Sequence, residues 1–301
     1  VKKSRPLILT VANQKGGVGK TTTTMNIGIA LARAGRRVLL IDGDPQANLT
    51  SYLGVTPGAG DWTQLHTLDE VYLSKRPLDA ASLDRFFART KAGVDLLAAD
   101  TALSGVEYYL FSRSDRERVL ANFLTLAEGR YDYVLIDTPP SLSLLTLNAL
   151  AASRGVLVPV QPEFFSLEGI VKIRQAISDI RARFNPELEI LGVLATQVAR
   201  RRKLTDEVLE ILRGEVGPLL FEAMIHENAA VAESSGHGQS ILDYDRSSLG
   251  ARDYVAAALE LIGRCESGTS PRTAKGDNHE LENWSQPLRK GNRQPERGHK
   301  L

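Results

Sequence analysis

The sequence predicts an α/β fold: one doubly wound, mostly parallel sheet with helices on both faces. Three observations carry this expectation. Runs dense in Val, Ile and Leu alternate with helical patterns from residue 6 to about 265, and strands this apolar need cover on both faces. The first run, PLILTVAN, passes through a glycine-rich turn into the helical pattern KTTTTMNIGIALARAG, a strand–loop–helix unit. Two further runs, RRVLLID and YDYVLIDTPP, deliver aspartates to strand ends, the edge where open α/β sheets bind ligands.

Taken in order, PLILTVAN is a buried strand and the helix after it stops at Gly35, since glycine tolerates the left-handed turn past a helix end. RRVLLID is the second strand. VDLLAA and YDYVLIDTPP are two more, separated by the helical RERVLANFLTLAEG. Strand GVLVPVQP, helix SLEGIVKIRQAISDIRARFN, strand LEILGVLATQV, helix LTDEVLEILRGEVG and the strand-like LLFEAMI follow. The amphipathic SSLGARDYVAAALELIGRC closes a domain expected over 1–265. The segment 56–93, with Gly, Pro and mixed polarity, shows no clear period. Residues 266–301 are polar and rich in Gly, Pro and charge; a segment with so little apolar surface to bury is expected to be a disordered tail.

The net charge of +1 gives no overall argument for a polyanionic partner, so any nucleic-acid surface has to be a local patch. The single cysteine, Cys265, excludes an intrachain disulfide framework or iron–sulfur cluster and suits a reducing, cytoplasmic setting. The N-terminal apolar run is too short for a signal peptide or membrane span, and no membrane partner is expected.

The glycine-rich turn almost fits the phosphate-loop pattern G-x-x-x-x-G-K-[ST]. Gln14 stands at the first glycine, and Lys15 follows it. Gly16, Gly17 and Gly19, with Val18 between them, let successive backbone N–H groups face one anion, and the helix starting near Lys20 adds its positive end. Lys20 would neutralise β/γ-phosphate charge, Thr21 would bind Mg²⁺ through its hydroxyl, and Thr22 completes the run. Asp137, closing its strand, is placed like a carboxylate that holds Mg²⁺ through water. Asp42 and Asp44 end the neighbouring strand. The ligands expected from these residues are a nucleotide and Mg²⁺.

KGGVGKTT (15–22), DGDPQAN (42–48), DTPPS (137–141) and PVQPEFFSLEGI (159–170) together resemble the ParA/Soj-type partition ATPases, P-loop NTPases of the deviant Walker A group. The resemblance runs from about residue 7 to 265. It implies that the nucleotide is ATP, and a role for the extra lysine: Lys15 reaches across a two-fold axis to the phosphates of a partner's nucleotide in an ATP-bound homodimer. A cation lent from each side would offset the negative charge gathered there. By the same likeness Asp44 positions the attacking water, catalysis rests on Lys15, Lys20 and Asp44, and Gln197 and His226 contact the adenine. His226 reads equally as a surface histidine.

The resemblance also implies non-specific binding of double-stranded DNA by the dimer, activation by a ParB-like protein and a nucleoid-associated location. Arg200, Arg201, Arg202 and Lys203 form a run of cations suited to phosphate contacts. A second patch departs from the family: where relatives often read I-P-R-N-V-R, this chain has IHENAAV, with Glu227 and Ala230 replacing arginines. Three readings stay open: the 200–203 run compensates, the basic end of the tail contributes, or the cargo is not DNA. A MinD-like membrane-bound regulator is a rival, although the tail has Pro287 and Pro295 and few large apolar residues, a poor amphipathic anchor.

Overall fold

The computed structural model describes residues 5–75, 77–163, 166–200 and 203–266. The expected tail lies outside the described residues, apart from Glu266, which ends the last helix.

Seven strands form the sheet: β1 (Leu7–Val11), β2 (Val38–Asp42), β3 (Phe87–Arg89), β4 (Asp95–Leu97), β5 (Tyr133–Asp137), β6 (Gly155–Val160) and β7 (Glu189–Ala195). Their order is β3-β4-β2-β5-β1-β6-β7. All pairings are parallel except β3 with β4, which is antiparallel at the edge. The helices are α1 (Lys20–Arg33), α2 (Asn48–Tyr52), α3 (Leu68–Leu73), α4 (Val106–Leu110), α5 (Val119–Thr125), α6 (Leu144–Ala152), α7 (Ser166–Arg183), α8 (Lys203–Val216), α9 (Ala229–Gly236), α10 (Ile241–Tyr244) and α11 (Leu249–Glu266).

Alternation along each strand divides the core in two. Val38, Leu40, Tyr133, Leu135 and Leu157 pack with α1 and α11 on one face. Leu39, Ile41, Val134 and Ile136 pack under α3 to α6 on the other. Val156, Val158 and Val160 meet α7 and α8 residues. Side chains two apart share a face, so continuous apolar runs are what a sheet covered twice requires.

LLFEAMI, β3 and α6 are among the elements that differ from the sequence expectation. LLFEAMI is not a strand. It runs beside β7 with one isolated bridge, Val193 to Leu220, and Phe221 N donates to Val193 O at 2.9 Å. Pro218 heads this stretch inside a short 3₁₀ turn and supplies no N–H for a ladder. β3 lies within the segment that showed no period; three residues at an edge carry too little pattern to read. α6 supplies the crossover that parallel β5 and β6 require. Its sequence LLTLNALAA is apolar on nearly every side, so no amphipathic period marks it as a helix.

Candidate nucleotide-binding site

The site is built at the C-terminal ends of β1, β2 and β5. After β1 the chain turns through residues 12–19 into α1. Gly17 and Gly19 have φ of 76° and 80°, the left-handed region where glycine is needed. Gly19 is the N-cap of α1, and its side makes no capping bond, so the orphan N–H groups of the first turn face the loop. Gly16 and Gly17 are exposed and Val18 is buried.

The ends of two neighbouring strands, β6 and β7, grip this loop. Asn13 Nδ2 donates to Pro159 O on β6 at 2.8 Å, while its Oδ1 accepts the Lys15 N–H at 3.0 Å. Gly169 of α7 closes over Asn13 so tightly that an added Cβ would lie 2.7 Å from Asn13 Oδ1. From β7, Thr196 Oγ1 donates to Val18 O at 2.9 Å and Gln197 Nε2 donates to Gly17 O at 2.6 Å. Gln197 itself adopts φ 52°. Its amide therefore braces the loop, a role the sequence did not suggest.

Lys20 is buried, and its Nζ donates to Lys15 O at 3.3 Å. Burial lowers its pKa, while the Asp137 and Asp44 carboxylates act in the opposite direction. Asp137 is fully buried; Thr24 Oγ1 donates to its Oδ1 at 3.4 Å, and its Oδ2 has no partner among the described residues. Burial, reinforced by the Asp42 carboxylate, pushes Asp137 up to about 8, against the Thr21 hydroxyl and Lys20. Asp42 pairs with Asp137 in the β2–β5 register. Burial pushes Asp42 to about 6 even though it accepts from Thr50 N at 2.8 Å and Thr50 Oγ1 at 2.7 Å. It also accepts the Asp44 N–H at 3.3 Å. Asp44 is buried, and its Oδ1 accepts the Gln46 N–H at 2.9 Å. Asp42, expected at the ligand edge but given no role there, thus shapes the loop that carries Asp44.

These residues fit Mg²⁺. A buried, unpartnered carboxylate oxygen beside a threonine hydroxyl is an all-oxygen, hard donor set. Among the described residues no group of three or more His, Cys, Asp or Glu side chains could enclose a metal. Mg²⁺ takes one or two carboxylates and completes its shell with water and phosphate oxygens.

Lys15 stands at the rim. Its Nζ donates to Glu163 Oε2 at 2.5 Å, just past β6, a partner not apparent before folding. His226 meets the end of β7 through a bridge to Val198, which brings it near Gln197. Its Nδ1 lies 2.9 Å from Asp253 Oδ2 on α11. His226 and Arg200 line the same 880 Å³ cleft with Asp206, Arg213 and Met224. Arg200 and Lys203 are exposed; Arg201 and Arg202 lie outside the described residues. A cavity of 1190 Å³ lies at the opposite edge of the sheet, around Arg118, Arg154 and Cys265, and shares none of these groups.

Comparison with known proteins agrees with this geometry. Residues 7–190 match the family described as AAA domain. The chromosome partitioning protein ParA of Caulobacter vibrioides is 42% identical over 259 residues, covering 85% of this chain and 94% of that protein. The sporulation initiation inhibitor protein Soj of Bacillus subtilis is 38% identical, covering 84% of this chain and 97% of its own. Among solved structures, cobyrinic acid a,c-diamide synthase of Mycobacterium smegmatis with bound ATP analogue and magnesium superposes with a TM-score of 0.74. It is 35% identical, covering 89% of this chain and 99% of that one. With a P-loop braced from two strands, acidic ends on β2 and β5, and likeness to ParA and Soj along most of its length, the chain belongs to the ParA/Soj family.

Proposed function

We propose that the chain is an ATPase that works as an ATP-gated dimer in DNA partitioning. The observation that carries this reading is the position of Lys15: at the rim of a loop that already has Lys20, its ammonium lies at the surface, paired with the exposed Glu163 carboxylate. ATP would lie on the N–H groups of residues 16–21, with Lys20 against the β/γ-phosphates. Mg²⁺, held by Thr21 and Asp137, supplies charge neutralisation of the triphosphate. Phosphoryl transfer depends chiefly on positioning and electrostatic stabilisation. Asp44, fixed by its own turn and by Asp42, orients the attacking water. Lys15 from the second chain offsets charge that builds on the transferred group. Gln197 and His226 border the adenine, the first through the loop it braces.

In the dimer the Arg200–Lys203 runs of two chains combine into one DNA surface. Doubling phosphate contacts raises affinity and steepens its salt dependence. A ParB-like activator completes a slow site, and hydrolysis parts the chains at the nucleoid.

Exposed Glu227 and part-buried Ala230, where the family carries cations, favour a second reading in which the same switch positions a cargo other than DNA. A DNA pelleting assay in ADP, ATP and a slowly hydrolysed analogue separates the two. Retention with ATP and the analogue alone supports the DNA reading. Equal, weak retention in all three contradicts it and leaves the other cargo.

A further inference from the structure

The ligand edge of the sheet carries an apolar feature that the nucleotide site does not use. α4 reaches this edge because it follows the C-terminal end of β4. Glu107 Oε1 accepts the Leu145 N–H at 3.4 Å, which ties α4 to the start of α6 and so to the loop leaving Asp137. Val106 and Leu110 anchor α4 in the core. Tyr108, Tyr109 and Phe111 turn outward, 82%, 59% and 64% exposed, with Leu142 also exposed on the tethered loop. The Tyr108 and Tyr109 rings meet edge to face with centroids 5.7 Å apart.

The base of this strip is held firmly. Arg113 Nη1 donates to Tyr72 O and Ser74 O, and Arg116 Nη1 donates to Phe111 O. Both guanidiniums are also paired within the chain, with Asp115 and Glu117. The nearby charges are thus occupied, and the aromatic rings face solvent.

We propose that this strip is a docking surface for a second copy of the same chain; the inference rests on the dimer reading above. Strand order supports it. α4 lies on the β4–β2 side of the site, whereas Lys15 and Glu163 lie on the β6 side. A second chain covering the site from one flank to the other meets both. Size supports it too. Three aromatic side chains of roughly 150–250 Å² each, at these exposures, offer roughly 400 Å² per chain, about half of the ~800 Å² a standard interface takes from each partner. The P-loop face brings charge and hydrogen bonds; the strip supplies the aromatic core that stable interfaces concentrate.

The test compares wild type with Tyr108→Ser/Tyr109→Ser/Phe111→Ser, and with Tyr108→Glu as a milder change should the triple variant misfold. Circular dichroism checks the fold, a fluorescent ATP analogue with Mg²⁺ reads one-chain binding, and sedimentation with a non-cleavable analogue reads association. We expect unchanged one-chain binding and dimerisation weakened at least roughly tenfold, the scale on which interface aromatics act. Dimerisation equal to wild type in both variants overturns the strip as an interface and leaves the dimer reading standing. A wild-type chain that stays monomeric overturns the dimer reading and this docking partner with it. Retention on phosphatidylglycerol vesicles that the variants lose, with dimerisation intact, assigns the strip to a lipid surface and overturns the proposal.

Discussion

Lys15 and Glu163 form an ion pair within one chain, Nζ to Oε2 at 2.5 Å, with both side chains well exposed. Pairs of this kind contribute only about 0–1 kcal/mol. The lysine proposed to act in a partner's site is therefore held at home by a contact that a triphosphate readily outcompetes.

Removing that contact gives the first prediction. Glu163→Ala is expected to leave thermal stability within about 1 kcal/mol of wild type and to lower the protein concentration at which ATP drives association. Sedimentation at graded protein concentrations checks this. An unchanged or raised threshold removes Glu163 from control of Lys15.

Asp44 is buried on a tight turn, where its Oδ1 accepts the Gln46 N–H. Asp44→Ala is expected to keep ATP affinity while slowing phosphate release by about 10²-fold or more, the usual scale for a positioned proton-transfer or water-orienting group. The ATP-bound dimer then becomes long-lived. Single-turnover release of phosphate at the wild-type rate would take Asp44 out of the chemistry.

The paired carboxyls predict a pH signature. Asp137 and Asp42 are pushed up to about 8 and about 6 by burial, whereas an unfolded aspartate titrates near 3.9. Between those values the folded chain retains protons that the unfolded chain has released. Stability of the nucleotide-free protein therefore falls as pH rises through 6 to 8, by up to about 1.4 kcal/mol per unit from Asp137. Urea melts at pH 6, 7 and 8 without Mg²⁺ read the slope, and Asp137→Asn is expected to flatten it. Equal slopes in the two proteins would contradict the assignment.

Gly43 joins β2 to the Asp44 turn where there is no room for a side chain. An added Cβ would lie 2.5 Å from Asp137 O, and backbone on both sides yields poorly. Gly43→Ala is expected to destabilise the protein by about 1–3 kcal/mol and to weaken Mg²⁺-dependent nucleotide binding by displacing Asp137. Calorimetric melts and nucleotide titrations with and without Mg²⁺ check both effects.

Most of the sheet was legible because its signal is local. β1, β2, β5, β6 and β7 are apolar runs closed by turn residues, and the P-loop declares itself through glycines next to Lys20 and Thr21. α6 was not legible, since a helix apolar all round shows no period, and LLFEAMI looked like a strand because composition does not report whether a ladder forms. At the site, strand-end aspartates could be read directly. Glu163, Asp253 and the bracing role of Gln197 could not, because each depends on contact between segments far apart in sequence: Lys15 with Glu163, His226 with Asp253, Gly17 with Gln197.

The central claim is that two copies close over a pair of triphosphates, each lending Lys15 to the other. Sedimentation equilibrium with Mg²⁺ and a non-cleavable ATP analogue tests it most directly, with Lys15→Ala as the control. The account predicts a dimer for wild type, a monomer for Lys15→Ala, and comparable one-chain nucleotide affinity for both. A wild-type chain that sediments as a monomer at saturating analogue, or a Lys15→Ala chain that dimerises as well as wild type, would contradict it.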